Sequence, residues 1–420
     1  MGQTISEKIL SRASGRKGVS PGEIVKANVD ILMVNDVTAP PAFEAFEQMG
    51  FKKVWDVDKV VVGLDHVVPA CDIKSATLNK AVRDFVIKQG IKHFYDVGRG
   101  GICHQIMQEK GLVWPGMVLV GADSHTCTSG ALGAFCVGVG QSDAAAVLGT
   151  GRLWFRVPDT FRFEVEGALK SPVMSKDLIL QIIGQVGADG AVYKALEFAG
   201  PAFERMSIGE RMTVANMSIE ASAKTGIVEP DRKVSDYLKT RFNIQVPLVK
   251  SDKDAHFEKK WTLDASKVEP KVAVPFRVDN VKNVSEVEGT EVNQAFVGSC
   301  TNGRIEDLRM AAKIVDGRKV HERVRFIVAP ASMEVYSQAL SEGLLSKFIE
   351  ADAIICGPSC AACPGMSNGI LALGEVCISS SNRNFLSRMG HKDSKVYLAS
   401  PATVAASAVK GKITDPRVFA

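Results

Sequence analysis

No stretch of this 420-residue chain is apolar enough, over a long enough span, to cross a bilayer. The apolar runs at 118–120 and 144–148 are far too short, and the N-terminus lacks a basic segment followed by an apolar one. Together these features predict a soluble, unexported, cytoplasmic protein. An excess of one charge is missing too: 51 basic residues face 47 acidic ones, with no long like-charge block to form a stripe for a polyanion. Nucleic acid is therefore not implied as a partner. The nine cysteines are an odd number in a large chain, which excludes a secreted disulfide framework and fits a reducing compartment. Internal repeats and low-complexity tracts are absent as well.

What is present is a strand–helix rhythm. Thr4 and Glu7 have the spacing of a capping box and open an amphipathic helix. "KVVVGL" (59–64) and "MVLVGA" (117–122) read as buried strands, 72–89 as a helix stopped by Gly90, and the Gly/Ala-rich stretch 130–151 as holding a close-packed helix. Towards the C-terminus, 294–299, 324–329, 352–356, 375–379 and 395–400 read as strands, with helices near 305–315, 332–342 and 402–410. Such alternation predicts an α/β protein with mainly parallel sheets flanked by helices. Three domains are expected, at 1–158, 159–277 and 278–420, with the two-proline segment 268–280 as an extended connection.

Polar residues follow the strands: Asp65–His66, Asp123–Ser124–His125, "SCTNGR" (299–304), "GPSCAAC" (357–363) and "SSSNRNFLSR" (379–388). In open parallel sheets ligands bind beyond the carboxyl ends of the strands, so these segments are expected to meet in one cleft. Cys360 and Cys363 are ambiguous by spacing. A redox pair normally opens a helix, yet a proline and a glycine follow here; a zinc site needs another two-ligand pair, and no second CxxC or HxxxH is present. An incidental thiol pair or a partial metal site stays open. Cys300, in a strand-end turn of small residues, is the attractive third ligand. Three thiolates on a cubane iron-sulfur cluster would leave one iron without a protein ligand, free to act as a Lewis acid.

The segments "GLDHVVP", "GRGGICHQ", "GADSHTCTSGALGAF", "ANMSIEASAKTGIVEPD", "GTEVNQAFVGSCTNGR", "GPSCAACPG" and "SNRNFLSRMGH" run from residue 63 to 391. In that order they resemble the large subunit of the aconitase superfamily, of the 3-isopropylmalate dehydratase and prokaryotic homoaconitase type. The resemblance implies a hydro-lyase that moves a hydroxyl between adjacent carbons of a hydroxy di- or tricarboxylic acid. It also implies a 4Fe-4S cluster on Cys300, Cys360 and Cys363, with one iron not held by cysteine. Asp65 and His66 match a carboxylate-held proton donor, and His104 and His125 the other active-site histidines, with Asp123 and Ser124 in the same turn. Glu220 matches a glutamate paired with a histidine, and Asn216 lies four residues earlier, as on one helical face. Without the resemblance, that segment reads as a solvated amphipathic helix. Asn302 is expected to bond cluster sulfur or substrate, or to serve as a turn residue. Asn382, Arg383 and Arg388 match a carboxylate-binding signature. His391, His93, His256 and His321 carry no assigned role.

Where mitochondrial-type aconitase has Pro-Asn after the "DSHT" turn, this chain has Cys127 and Thr128, and Asn35 stands where that type presents a glutamine. Both departures argue against citrate. "GPSCAACPGMSNG" is nearer the homoaconitase-like branch, which also holds 2,3-dimethylmalate dehydratases. The family's swivelling fourth domain, with its catalytic serine, is expected on a separate small subunit, giving a heterodimer or heterotetramer. Two rival readings are an iron-responsive RNA-binding protein and a cluster-free enzyme of the same superfamily.

Overall fold

The computed structural model describes residues 2–419. Its first sheet has five parallel strands in the spatial order His93–Tyr95, Val60–Gly63, Ile31–Asn35, Val118–Gly121, Phe135–Gly138. Every residue of Val60–Gly63 and Val118–Gly121 is buried, as expected of parallel strands with both faces covered. Side chains alternate between the faces. Leu32 and Val34 pack with helices Ala39–Gln48, Ile73–Gln89 and Gln141–Thr150, whereas Ile31 and Met33 pack with Cys103–Glu109 and Arg232–Phe242.

A second, four-stranded sheet is wholly parallel, ordered Thr225–Val228, Ala195–Ala199, Thr160–Glu166, Lys259–Asp264. The third has seven strands: Val281–Asn283, Lys271–Ala273, Lys395–Ala399, Val376–Ser379, Gln294–Val297, Arg325–Val328, Ile354–Ile355. Its last five are parallel, and Lys271–Ala273 runs against both neighbours. Here the sequence expectation fails. Segment 268–280 is not merely a connection, because Lys271–Ala273 lies before the expected boundary at 277 yet hydrogen-bonds into the third sheet. Both prolines flank that short strand, where a missing N–H breaks no ladder bond.

The helix ends follow from local chemistry. Thr4 Oγ1 accepts from the Glu7 amide at 3.3 Å while Glu7 Oε2 accepts from the Thr4 amide at 2.6 Å, closing the expected capping box. Asp72 caps Ile73–Gln89 by accepting from the Ser75 amide at 2.7 Å, a bond worth about 1 kcal/mol, and Gly90 ends that helix at φ 71°.

Candidate active site

Loops from the carboxyl ends of the first and third sheets line one cavity of about 320 Å³. From the first sheet come Val37, Thr38, His66, His104, Asp123, Ser124 and His125; from the third come Ser299, Cys300, Cys360, Cys363, Asn382, Arg383 and Arg388. The expected convergence therefore occurs.

On the first-sheet side each histidine is held by a carboxylate. His66 Nδ1 donates to Asp65 Oδ1 at 2.7 Å, His104 Nε2 to Asp123 Oδ1 at 2.8 Å, and His125 Nε2 to Glu220 Oε1 at 2.8 Å. Asp65 also accepts from the Cys103 amide at 2.6 Å, and its own carbonyl accepts from the Cys360 amide at 2.8 Å, so one residue links both sides of the cavity. Burial pushes the His66 imidazole down, but the neighbouring Cys360 and Asp65 outweigh it and raise the pKa well above the ordinary value. His125 is likewise raised against burial, by its bonds to Asp123 and Glu220. Burial raises Asp123, yet His104 and the other histidines hold it well below the usual carboxylate range. For His66 and His125 both shifts favour imidazolium facing carboxylate, an arrangement suited to donating a proton.

Glu220 reaches this wall because the segment carrying His125, Ser124–Leu132, presses against strand Thr225–Val228 of the second sheet. A Cβ on Gly130 would lie 1.8 Å from the Gly226 carbonyl oxygen, so only glycine permits the approach. Arg383 Nε donates to both Glu220 oxygens, at 2.9 and 3.2 Å, joining the second and third sheets at the cavity. The segment around Glu220 is buried rather than solvated, correcting the reading from periodicity. Helix Ile208–Asn216 gives way to a 3₁₀ turn at Met217–Ala221, and Asn216 bonds Cys300 while Glu220 bonds His125 and Arg383.

The third-sheet side gathers the thiols. Ser299 Oγ reaches Cys300 Sγ at 3.8 Å and Cys363 Sγ at 3.6 Å, so one hydroxyl serves two sulfurs. Asn216 Nδ2 and Asn382 Nδ2 donate to Cys300 Sγ at 3.2 and 3.3 Å, and Arg388 Nη2 to Cys363 Sγ at 3.5 Å. Burial raises the Cys363 thiol, but Arg388 and Ser299 bring it below its ordinary value. Cys300 is pushed by burial up to about 11. Ser299 at φ 76°, Ala361 at 47° and Ser387 at 62° occupy the left-handed region around this group. Non-glycine residues held there cost on the order of 1 kcal/mol each, and such outliers cluster at functional sites. Amide, hydroxyl and guanidinium donors aimed at the buried sulfurs of Cys300 and Cys363 suit thiolates, and Cys360 lies beside His66 in the same cavity, so the donor set fits an iron-sulfur cluster.

Three expected substrate contacts lie behind the cavity wall instead. Asn35 is fully buried, caps its own turn through the amides of Val37 and Thr38, and donates to Asp123 Oδ2 at 3.3 Å. Asn302 donates to Asp307 Oδ1 at 2.9 Å and Thr213 Oγ1 at 3.2 Å, not to sulfur. Asn216 binds sulfur and Thr128, and its Oδ1 accepts from Thr301 Oγ1. Sequence reasoning missed Asp36, whose carboxylate accepts from the consecutive amides of Asp65, His66 and Val67 at 3.1, 2.9 and 2.8 Å. It also missed the roles of Ser299, Val37 and Met366. A lone acid after a strand leaves no periodic mark.

The profile of the aconitase family (aconitate hydratase) matches residues 7–411. The chain is 54% identical over 419 residues to 3-isopropylmalate dehydratase large subunit 1 of Methanopyrus kandleri, covering 100% of both. It is 54% identical over 416 residues to a probable 3-isopropylmalate dehydratase large subunit of Methanothermobacter thermautotrophicus, with 99% of each covered. To that organism's probable methanogen homoaconitase large subunit it is 48% identical, over 98% of this chain and 97% of the other. Among solved structures, aconitase X of Thermococcus kodakaraensis (holo-form) aligns over 85% of this chain and 84% of its own, with a TM-score of 0.50 and 12% identity, a likeness of fold.

Proposed function

This chain belongs to the aconitase family of hydro-lyases, and from that premise we propose that it is the large subunit of a 3-isopropylmalate dehydratase, completed by a separate small subunit. One observation carries the reading: three carboxylate-held histidines and three cysteines, two of them with donors on their sulfurs, line a single cavity. The family implies an iron-sulfur cluster, and Cys300, Cys360 and Cys363 are the residues that would hold it as a 4Fe-4S cluster. Bound by three thiolates only, such a cluster supplies Lewis-acid chemistry at its remaining iron.

The chain's own residues do the rest. His66, fixed through Nδ1 by Asp65, turns Nε2 towards Asp123 Oδ2, 3.7 Å away, and gives its proton to the departing hydroxyl. His104 and His125 orient that hydroxyl by hydrogen bonding. Arg383 and Arg388 hold the two substrate carboxylates in planar forks of donors and meet the charge that builds on them. The carbon-bound proton is removed by a serine of the small subunit, which closes the cavity and excludes water.

The substrate is an alkyl-substituted malate rather than a tricarboxylate. Among the described residues, Arg383 and Arg388 are the only cavity-lining cations besides the histidines, and Val37, Pro364 and Met366 add apolar surface to the wall. That favours isopropylmalate, or a dimethylmalate, over homocitrate. Co-purification with a small subunit of the 3-isopropylmalate dehydratase type, followed by kcat/KM for isopropylmalate, 2,3-dimethylmalate and homocitrate, tests the assignment. A preference for the alkylmalates is expected, and a preference for homocitrate rejects it.

A further inference from the structure

Helix Ser175–Val186 begins with an anomaly. Its second residue, Lys176, is fully buried, and the remainder of the helix is mostly apolar. A cation in the first turn opposes the helix dipole, and burying one without an ionic partner is costly. Lys176 Nζ donates only to backbone, to the carbonyls of Ser380 at 3.0 Å and Ser381 at 2.5 Å. Those carbonyls belong to the turn that presents Asn382 and Arg383 to the cavity. The same turn is tied to the Cys300 loop, since the Gly298 amide donates to Ser380 Oγ at 3.1 Å.

What offsets the cost of this ammonium lies across the turn. The Cys363 thiol, the Asp307 carboxyl, the Cys300 thiol and Glu220 are the acidic groups near it, besides Asp177 on its own helix. Asp177 is occupied by the amides of Met174 and Lys271, and Glu220 by His125 and Arg383. In the chain without a cluster, burial pulls the ammonium down to about 7. Cys300 and Cys363 become permanent anions only as ligands.

We infer that Lys176 is the counter-cation of the cluster site: a positioning residue that balances the thiolates of Cys300 and Cys363 from behind while clamping the turn that aims Asn382 and Arg383. This rests on the proposed cluster triad, so wild-type protein is first assayed for iron and sulfide; absence of both rejects the triad before any variant is read. Lys176→Met removes charge and donors, and Lys176→Gln removes charge but keeps a donor.

Both variants, reconstituted anaerobically with the small subunit, are compared with wild type by EPR-monitored redox titration, by the rate of iron loss to a chelator, and by melting of apo and loaded protein. A counter-cation predicts a more negative midpoint potential and iron loss at least about tenfold faster in both variants. It also predicts an apo protein that melts no lower than wild type, because a buried unpaired charge has gone, and a loaded protein that melts lower. Equal destabilisation of apo and loaded forms with an unmoved potential makes Lys176 a structural tie and overturns the inference. Failure of both variants to fold overturns it in the same way.

Discussion

The two walls of the cavity are finished to different degrees. On the first-sheet wall His66, His104 and His125 each meet a carboxylate of this same chain, at 2.7 to 2.8 Å, so each imidazole is held in place by its hydrogen bond. On the third-sheet wall Cys300 and Cys363 meet mainly donors, from Ser299, Asn216, Asn382 and Arg388, and, among the described residues, no carboxylate, while Asn382 Oδ1 accepts from Cys363 Sγ at 3.7 Å. One wall satisfies its own charges, and the other is pre-organised for anions that exist only when a metal group holds them. Acid–base geometry should therefore survive loss of the cluster, while the order of the thiol wall should depend on it.

The strongest way to break that contrast is at the thiols. Cys363→Ser should abolish cluster loading and bring hydration activity below detection, while the protein still folds; iron analysis and circular dichroism together check both halves. His66→Asn should keep a full cluster spectrum but lower kcat by roughly a thousandfold, within the range for loss of a general acid. Asp65→Asn, which leaves the imidazole in place but removes its anionic anchor, should cost between ten- and a hundredfold in kcat. Arg383→Lys should act mainly on KM, raising it about tenfold, because an ammonium cannot serve both the substrate and Glu220 as a planar fork does.

The smallest expected effect sharpens the comparison through pH. Glu220 is held below its ordinary 4.5, by His125 and Arg383 against burial, and His125 is raised above 6.5. The carboxylate's contribution is present above 4.5 and fades as pH falls through its lowered value; the imidazolium's is present below 6.5 and fades as pH rises through its raised value. Stability from this pair is therefore greatest between those limits. Glu220→Gln should lower the melting temperature by roughly one to three degrees within that window and flatten its fall on either side.

Much of this was legible in the chain. Parallel strands buried on both faces appear as short Val/Ile/Leu runs, and residues just after them point to a common cleft, which is why His66, His125, Cys300, Cys360, Cys363 and Arg383 can be picked out from the chain and lie along one cavity, with Asp65 behind His66. The three-residue strand Lys271–Ala273 was hidden because its prolines resemble a linker and its pairing is with residues over a hundred positions away at Ala399. Asn302 deceived because its neighbours face sulfur while Asp307 turns its amide aside. Spacing placed Asn216 and Glu220 on one helical face, whereas the helix changes to 3₁₀ between them at Met217. Asp36 and Lys176 are single buried charges, and a single charge carries no period.

Iron and sulfide counts with Mössbauer spectra of the anaerobically reconstituted chain test the central claim most directly. The three-thiolate account predicts a 4Fe-4S cluster that loses one iron on mild oxidation and regains it from ferrous iron, and no cluster in Cys300→Ser. A cluster whose irons all resist oxidation, or an intact cluster in that variant, contradicts it.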